Sequence, residues 1–101
     1  MSKKPEGKYE PTLIYPSLIK GVAMVRRYGI NKHGSSTDWR TTDPLDTLDA
    51  MGRHYFGILM GEELDPESSL PHLYHLGANV MFAIEAQYGS GFDYVKKLRK
   101  E

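Results

Sequence analysis

The stretch GEELDPESSLPHLYHLGAN, Gly61 to Asn79, gathers Glu62, Glu63, Asp65, Glu67, His72, His75 and Asn79 into one short segment. Carboxylates and imidazoles at this density suit two kinds of chemistry, the holding of a divalent metal ion and the movement of protons. Mg²⁺ and Mn²⁺ prefer carboxylate oxygens, while imidazole suits the softer Mn²⁺ and Zn²⁺. Glu62, Asp65 and Glu67, together with His54, His72 or His75, form such a mixed set. Mg²⁺ or Mn²⁺ is therefore the expected cofactor. The spacing matches neither the His-Glu-x-x-His of a zincin nor a pair of Glu-x-x-Glu motifs, so it does not assign the metal.

On a helix, His72, His75 and Asn79 at i, i+3 and i+7 share an arc of about 60°. Leu73, Leu76, Val80 and Ile84 form a second stripe about 140° away, and this apolar stripe is the expected core face. Ala78, Phe82, Ala83 and Ala86 flank the polar row. A second element can approach closely there and cover part of it. The plainer alternative is that His72 shields the helix start, while His75 and Asn79 only hydrogen-bond across a helix interface.

Two further regions carry candidate groups. Between Ile30 and Thr42, Lys32 and Arg40 are suited to phosphate and Trp39 offers a flat face to a base, although a lone Trp in a small domain also serves as a packing residue. Farther along, Asp43, Asp46, Asp49 and Arg53 make a charged strip that reads as an exposed helix face. His54 differs from them. It lies on an edge with Ala50, Gly57 and Gly61, where another helix can pack, and a hairpin through the acidic bend turns it toward the His75 stripe.

The elements that position these groups are helices. Tyr15-Pro16-Ser17 starts a first helix with Leu18, Val22, Val25 and Tyr28 on one face, and Gly29 is its expected stop. The polar run INKHGSSTDWRTT then reads as a loop. Thr42 or Asp43 caps a second helix with Pro44 in its first turn; Leu48, Met51, Tyr55, Ile58 and Leu59 are its expected apolar face, and Gly61 ends it. A third helix is expected from about Ser69 to Tyr88, with Pro71 in its first turn and Gly89-Ser90-Gly91 as its end. The tail FDYVKKLRKE reads as a solvated end with a short helical turn.

The predicted architecture is all-α, a small bundle of three main helices. Residues 1–14 form an extended arm and 15–101 a single helical domain. Phe56, Met81 and Phe82 fall outside one small core, so self-association into a homo-oligomer is expected to complete it. With 101 residues there is room for one domain and a modest core. Thirteen basic and thirteen acidic residues cancel, which argues against a nucleic-acid polymer or a membrane surface and favours a small charged metabolite. No cysteine is present, which rules out disulfides and thiolate metal sites and fits a reducing cytoplasm. Neither a membrane span nor a signal peptide is visible, and a cytoplasmic protein is expected.

Three blocks, YG…DWR (Tyr28, Gly29, Asp38, Trp39, Arg40), LDAMGRH (Leu48 to His54) and Gly61 to Asn79, resemble the small, largely phage-encoded dATP/dGTP diphosphohydrolase family, commonly grouped with the all-α, MazG-like nucleotide pyrophosphohydrolases. The resemblance covers about residues 18 to 85. It implies metal-dependent attack of water on a deoxynucleoside triphosphate, releasing diphosphate and leaving the monophosphate, in host cytoplasm if the gene is a phage's. It further implies Glu62, Asp65 and His75 for metal or water activation, Arg53, Lys32 and Arg40 for phosphate, and Trp39 and Asn79 for the base, with His72 beside the nucleotide. His54 and Glu67 complete the implied metal set with Glu62 and Asp65.

The chain departs from the family pattern in three respects. HGSSTD before the tryptophan is longer, Ser69 stands where glycine is expected, and the paired acids of MazG-type catalysis are absent. A second reading is therefore a non-catalytic protein that captures a nucleotide or nucleotide-derived signal. A third, a helical partner-binding module, leaves the Gly61 to Asn79 segment unexplained.

Overall fold

Proline and a capping side chain set where the helices begin. In the computed structural model, which describes residues 7–89, a 3-10 turn at Pro11–Leu13 leads into helix α1, Pro16–His33; a second 3-10 turn, Asp38–Thr41, precedes α2, Pro44–Leu59; and α3 is His72–Tyr88. The Asp43 carboxylate accepts the Leu45 N–H at 2.9 Å and caps α2, a contact typically worth about 1 kcal/mol. Pro44 follows it, where a missing N–H costs nothing. The first six residues of the expected arm and the expected tail turn lie outside the described residues.

Two boundaries differ from expectation. Helix α1 runs through Gly29 and stops at Gly34, whose φ of 83° is left-handed and whose N–H reaches the Ile30 carbonyl. A helix-interior glycine costs only about 1 kcal/mol, and Lys32 and His33 in the last turn suit the negative end of the helix dipole. Helix α3 starts at His72 rather than Ser69, because Ser69 has a φ of 61°, which no right-handed helix accommodates. That conformation is strained for any residue with a β-carbon. Ser69→Gly should therefore stabilise the fold by up to about 1 kcal/mol, read as a rise of a few degrees in Tm; a fall would mean that the hydroxyl makes a contact worth more than the strain.

The end of α2 shapes everything after it. Gly61, with φ 84°, donates to the Ile58 carbonyl at 3.0 Å and Glu62 donates to Gly57 at 2.9 Å, which is the Schellman arrangement. The chain then folds back as a tight loop. An antiparallel bridge joins Leu64 to Pro71, Asp65 N–H bonds to Leu70 O at 2.8 Å, and His72 N–H bonds to Glu63 O at 2.9 Å, so the loop itself satisfies one of the orphan donors at the start of α3.

Helix α3 is the central element, packed on α1 and on α2. Among the described residues there are three α-helices and no strand, giving the expected all-α bundle. The core faces expected of α2 and α3 are not the ones that are buried, whereas the small-residue edge packs as expected. On α3 the buried residues are His72, His75 and Ala78, whereas Leu73 is 65% exposed and Ile84 51%. On α2 the apolar residues Leu48, Tyr55 and Leu59 are exposed, and the edge bearing His54 and Gly57 meets α3. Small side chains explain this choice: with hydrogen alone at Gly57, the His72 ring sits where a β-carbon would otherwise lie. None of the helices among the described residues is long and apolar enough to cross a membrane.

Candidate functional site

Because the Schellman turn carries Glu62 over the last turn of α2, its carboxylate meets the first residue of α3: His72 Nε2 lies 2.7 Å from Glu62 Oε1. A carboxylate oxygen accepts, so the hydrogen sits on Nε2 and Nδ1 is the nitrogen that points inward. There it meets His54 Nδ1 at 2.8 Å. The third imidazole stacks on His54, with His75 4.5 Å away and nearly parallel, at 7°. Tyr28 of α1 closes that side with its ring edge against His75.

The loop supplies the acid. Asp65 accepts the Ser68 N–H at 2.9 Å, which turns its carboxylate inward, 3.9 Å from His75 Nε2. The Ser68 hydroxyl takes the shorter contact to the same nitrogen, 2.6 Å, and accepts the Leu70 N–H. No buried side-chain nitrogen or oxygen among the described residues lacks a partner. The cluster thus leaves none of its buried polar atoms unpaired while holding three imidazoles and two carboxylates at one end of a helix hairpin.

Electrostatics follow from this placement. Burial holds His54 below its usual pKa, with the neighbouring His75, His72 and Arg53 adding to the effect and Asp65 opposing it. His75 is lowered in the same way, first by burial and then by His72, against Asp65 and Glu67. For Asp65, burial pushes upward, but the Ser68 hydrogen bonds and the charges of His75 and His54 outweigh it and leave the carboxyl below its ordinary value. A histidine whose folded pKa is depressed favours the fold in its neutral form, so its contribution is present above the unfolded pKa of about 6.5 and is lost as pH falls through the folded value. Metal-free protein should therefore show a lower urea midpoint at pH 5 than at pH 7.5. An unchanged midpoint would mean that the two rings are as easily protonated folded as unfolded.

Of the other residues singled out from the sequence, some join this centre and others do not. Glu67 pairs with Lys32 across the α1 end; the hydrogen bond between them raises the Lys32 pKa and lowers that of Glu67. Arg53 is exposed on α2 beside His54. The Asn79 amide donates to the His75 carbonyl at 2.9 Å, one turn back on its own helix. Trp39 lies away from the imidazoles, stacked on Phe82 with ring centres 5.1 Å apart, and Arg40 sits 5.6 Å from the Trp39 ring centre. Arg26 covers Phe82. Two grooves open beside Trp39. One, of about 1000 Å³, runs between α1 and α3 past Arg26, Arg27 and Val80; the other, of about 610 Å³, is lined by Arg40, Pro44, Leu48 and Phe82. The histidines line neither.

Ser68, Tyr28 and Arg26 contribute to these sites although sequence reasoning does not single them out for it. Ser68 does carry a signal, since a serine three residues after an aspartate is a common loop partner for it; the others are recruited from distant turns.

The donor set fits a metal ion. His54, Asp65 and His72 each offer one ligand atom, all within 4.8 Å of one another, and a neutral imidazole is the form that coordinates. Their chemistry matches Mn²⁺ or Zn²⁺ better than Mg²⁺.

Comparison with known proteins gives one family. The family model described as dATP/dGTP diphosphohydrolase, N-terminal, matches residues 1–93. No curated protein and no solved structure matches the chain.

Proposed function

This chain belongs to the dATP/dGTP diphosphohydrolase N-terminal family, and from that premise we propose that it hydrolyses a deoxynucleoside triphosphate to the monophosphate and diphosphate at the α2–α3 bend. The observation that carries the reading is the meeting of His54, His72, His75, Asp65 and Glu62 at one end of the hairpin. A divalent ion held there would neutralise phosphate charge and lower the pKa of its bound water. Asp65 and His75 are placed to take a proton from the attacking water, and Arg53 on the neighbouring surface meets the phosphates as they accumulate charge.

The rest of the nucleotide follows the same side of α3. Phe82 lies seven residues after His75, two turns on, so about 10 Å separates the imidazoles from the aromatic end. That is the order of the length from a base to a terminal phosphate. Trp39 and Phe82 border the base, with Arg26 and Arg40 at the rim. The assay is direct: incubate the protein with each dNTP and Mn²⁺ or Mg²⁺ and measure diphosphate. Diphosphate release is expected. Stoichiometric retention of intact nucleotide that survives EDTA would replace this reading with that of a non-catalytic binder.

Assembly belongs to the proposal as well. Val25 and Ala78 are the buried apolar side chains of the core, while Leu45, Leu48, Tyr55, Phe56 and Leu59 of α2 stand exposed. Monomers rarely leave so much contiguous apolar surface in water. Copies of the chain pack through this face, with the same patch on both sides. Sedimentation should give at least twice the 11.5 kDa chain mass, and Leu48→Lys with Leu59→Lys should halve it; a monomeric parent protein would end the idea.

A further inference from the structure

We propose that His54 Nδ1, His72 Nδ1 and an Asp65 carboxylate oxygen form a centre for a transition-metal dication of the Zn²⁺ or Co²⁺ type, with Glu62 as the carboxylate that orients His72. The inference concerns the site of the proposed hydrolysis and deepens that reading, but metal binding is measured without nucleotide.

Three observations support it. First, two imidazole Nδ1 atoms from different helices face each other at 2.8 Å. Two nitrogens bound to one tetrahedral zinc at 2.0–2.1 Å lie roughly 3.3 Å apart, so the rings need to part by only about half an ångström, and the hydrogen that His54 Nδ1 shares with His72 must pass to His54 Nε2 as the ion binds. Second, the outer nitrogen of His72 is engaged by Glu62 at 2.7 Å. Metal-bound histidines characteristically donate their other N–H to a carboxylate in this way, which fixes the tautomer and raises the basicity of the coordinating nitrogen. Third, Asp65 offers a carboxylate oxygen within 4.8 Å of a ring nitrogen of each histidine and is turned inward by Ser68, so it adds the negative charge that two neutral imidazoles lack. Packing supports the arrangement further. His72 is 4% exposed, and the His75 ring stacked on His54 shields one side.

The donor set also sets selectivity. Two nitrogens and one carboxylate favour borderline dications over Mg²⁺, which demands an octahedral oxygen shell and dehydrates reluctantly.

The test titrates the EDTA-stripped chain with Co²⁺ and follows its visible absorption, with Zn²⁺ and Mg²⁺ as competitors. One equivalent of Co²⁺ should develop the intense bands of a four- or five-coordinate site, displaced by stoichiometric Zn²⁺ and not by a large excess of Mg²⁺. His54→Gln should weaken binding by about 100-fold or more and Glu62→Gln by about 10- to 100-fold, both with unchanged helical circular dichroism. His33→Ala, at the exposed end of α1, should change nothing. A pale six-coordinate spectrum, displacement by Mg²⁺, or full affinity in His54→Gln would overturn the centre. If the spectrum appears but no dNTP is cleaved, the metal site stands and the hydrolysis fails; if dNTP is cleaved with Mg²⁺ by His54→Gln, the hydrolysis stands and this centre fails.

Discussion

Asp65→Asn is expected to lower diphosphate release by about 100-fold or more, the range found when one preorganised electrostatic partner is removed from an active site, while Tm falls by only a few degrees. The reason lies in what asparagine keeps. Its carbonyl oxygen can still accept the Ser68 N–H that shapes the loop, and the Asp65 backbone bonds to Leu70 and Ser69 do not involve the side chain. What disappears is the negative charge facing His54 and His75, both of which it acts on. Glu62→Gln should fall in the same direction by a smaller factor, about 10- to 100-fold, because Glu62 acts through His72. Single-turnover assays alongside thermal melts separate lost chemistry from lost fold. Full activity in both variants would move the reacting centre away from this bend.

Gly57→Val is expected to cost about 3 kcal/mol, the upper end of what overpacking a filled interface costs. A β-carbon at position 57 would stand 2.7 Å from His72 Nε2 and 2.9 Å from two ring carbons. The ring cannot step aside freely, since His54 holds one nitrogen and Glu62 the other. Against a typical domain stability of about 5–15 kcal/mol, that loss is large. The same helix provides its own control. Nothing lies within 4 Å of a β-carbon built on Gly52, so Gly52→Ala should gain helix propensity, up to about 1 kcal/mol. Gly57→Ala has the same propensity gain but must also displace the imidazole, and should come out destabilised. Urea midpoints of the three variants read this directly; equal gains at 52 and 57 would show that the close contact with His72 does not exist.

Several features are legible in the linear chain because they depend on local chemistry. Asp43 followed by Pro44 begins α2 and Gly61 ends it, since capping involves residues within one turn. The shared stripe of His72, His75 and Asn79 follows from helical period alone, and so does the placing of His54 on the small-residue edge. Ser69, at a position where the family pattern leads one to expect glycine, marks the single non-glycine residue with positive φ among those described.

Other choices are made only in three dimensions. Gly29 and Gly34 offer similar stop signals, and nothing nearby in the chain says which will be used. Amphipathic period identifies an apolar face but not its neighbour, so it marks Leu73, Val80 and Ile84 as core although α2 and α1 meet α3 elsewhere. The pairings Glu62 with His72, Ser68 with His75 and Lys32 with Glu67 join residues 10, 7 and 35 positions apart. Short-range rules set the angle at which each helix starts and stops; which side chains then meet depends on where the Schellman turn sends the chain and on how closely Gly57 lets α3 approach.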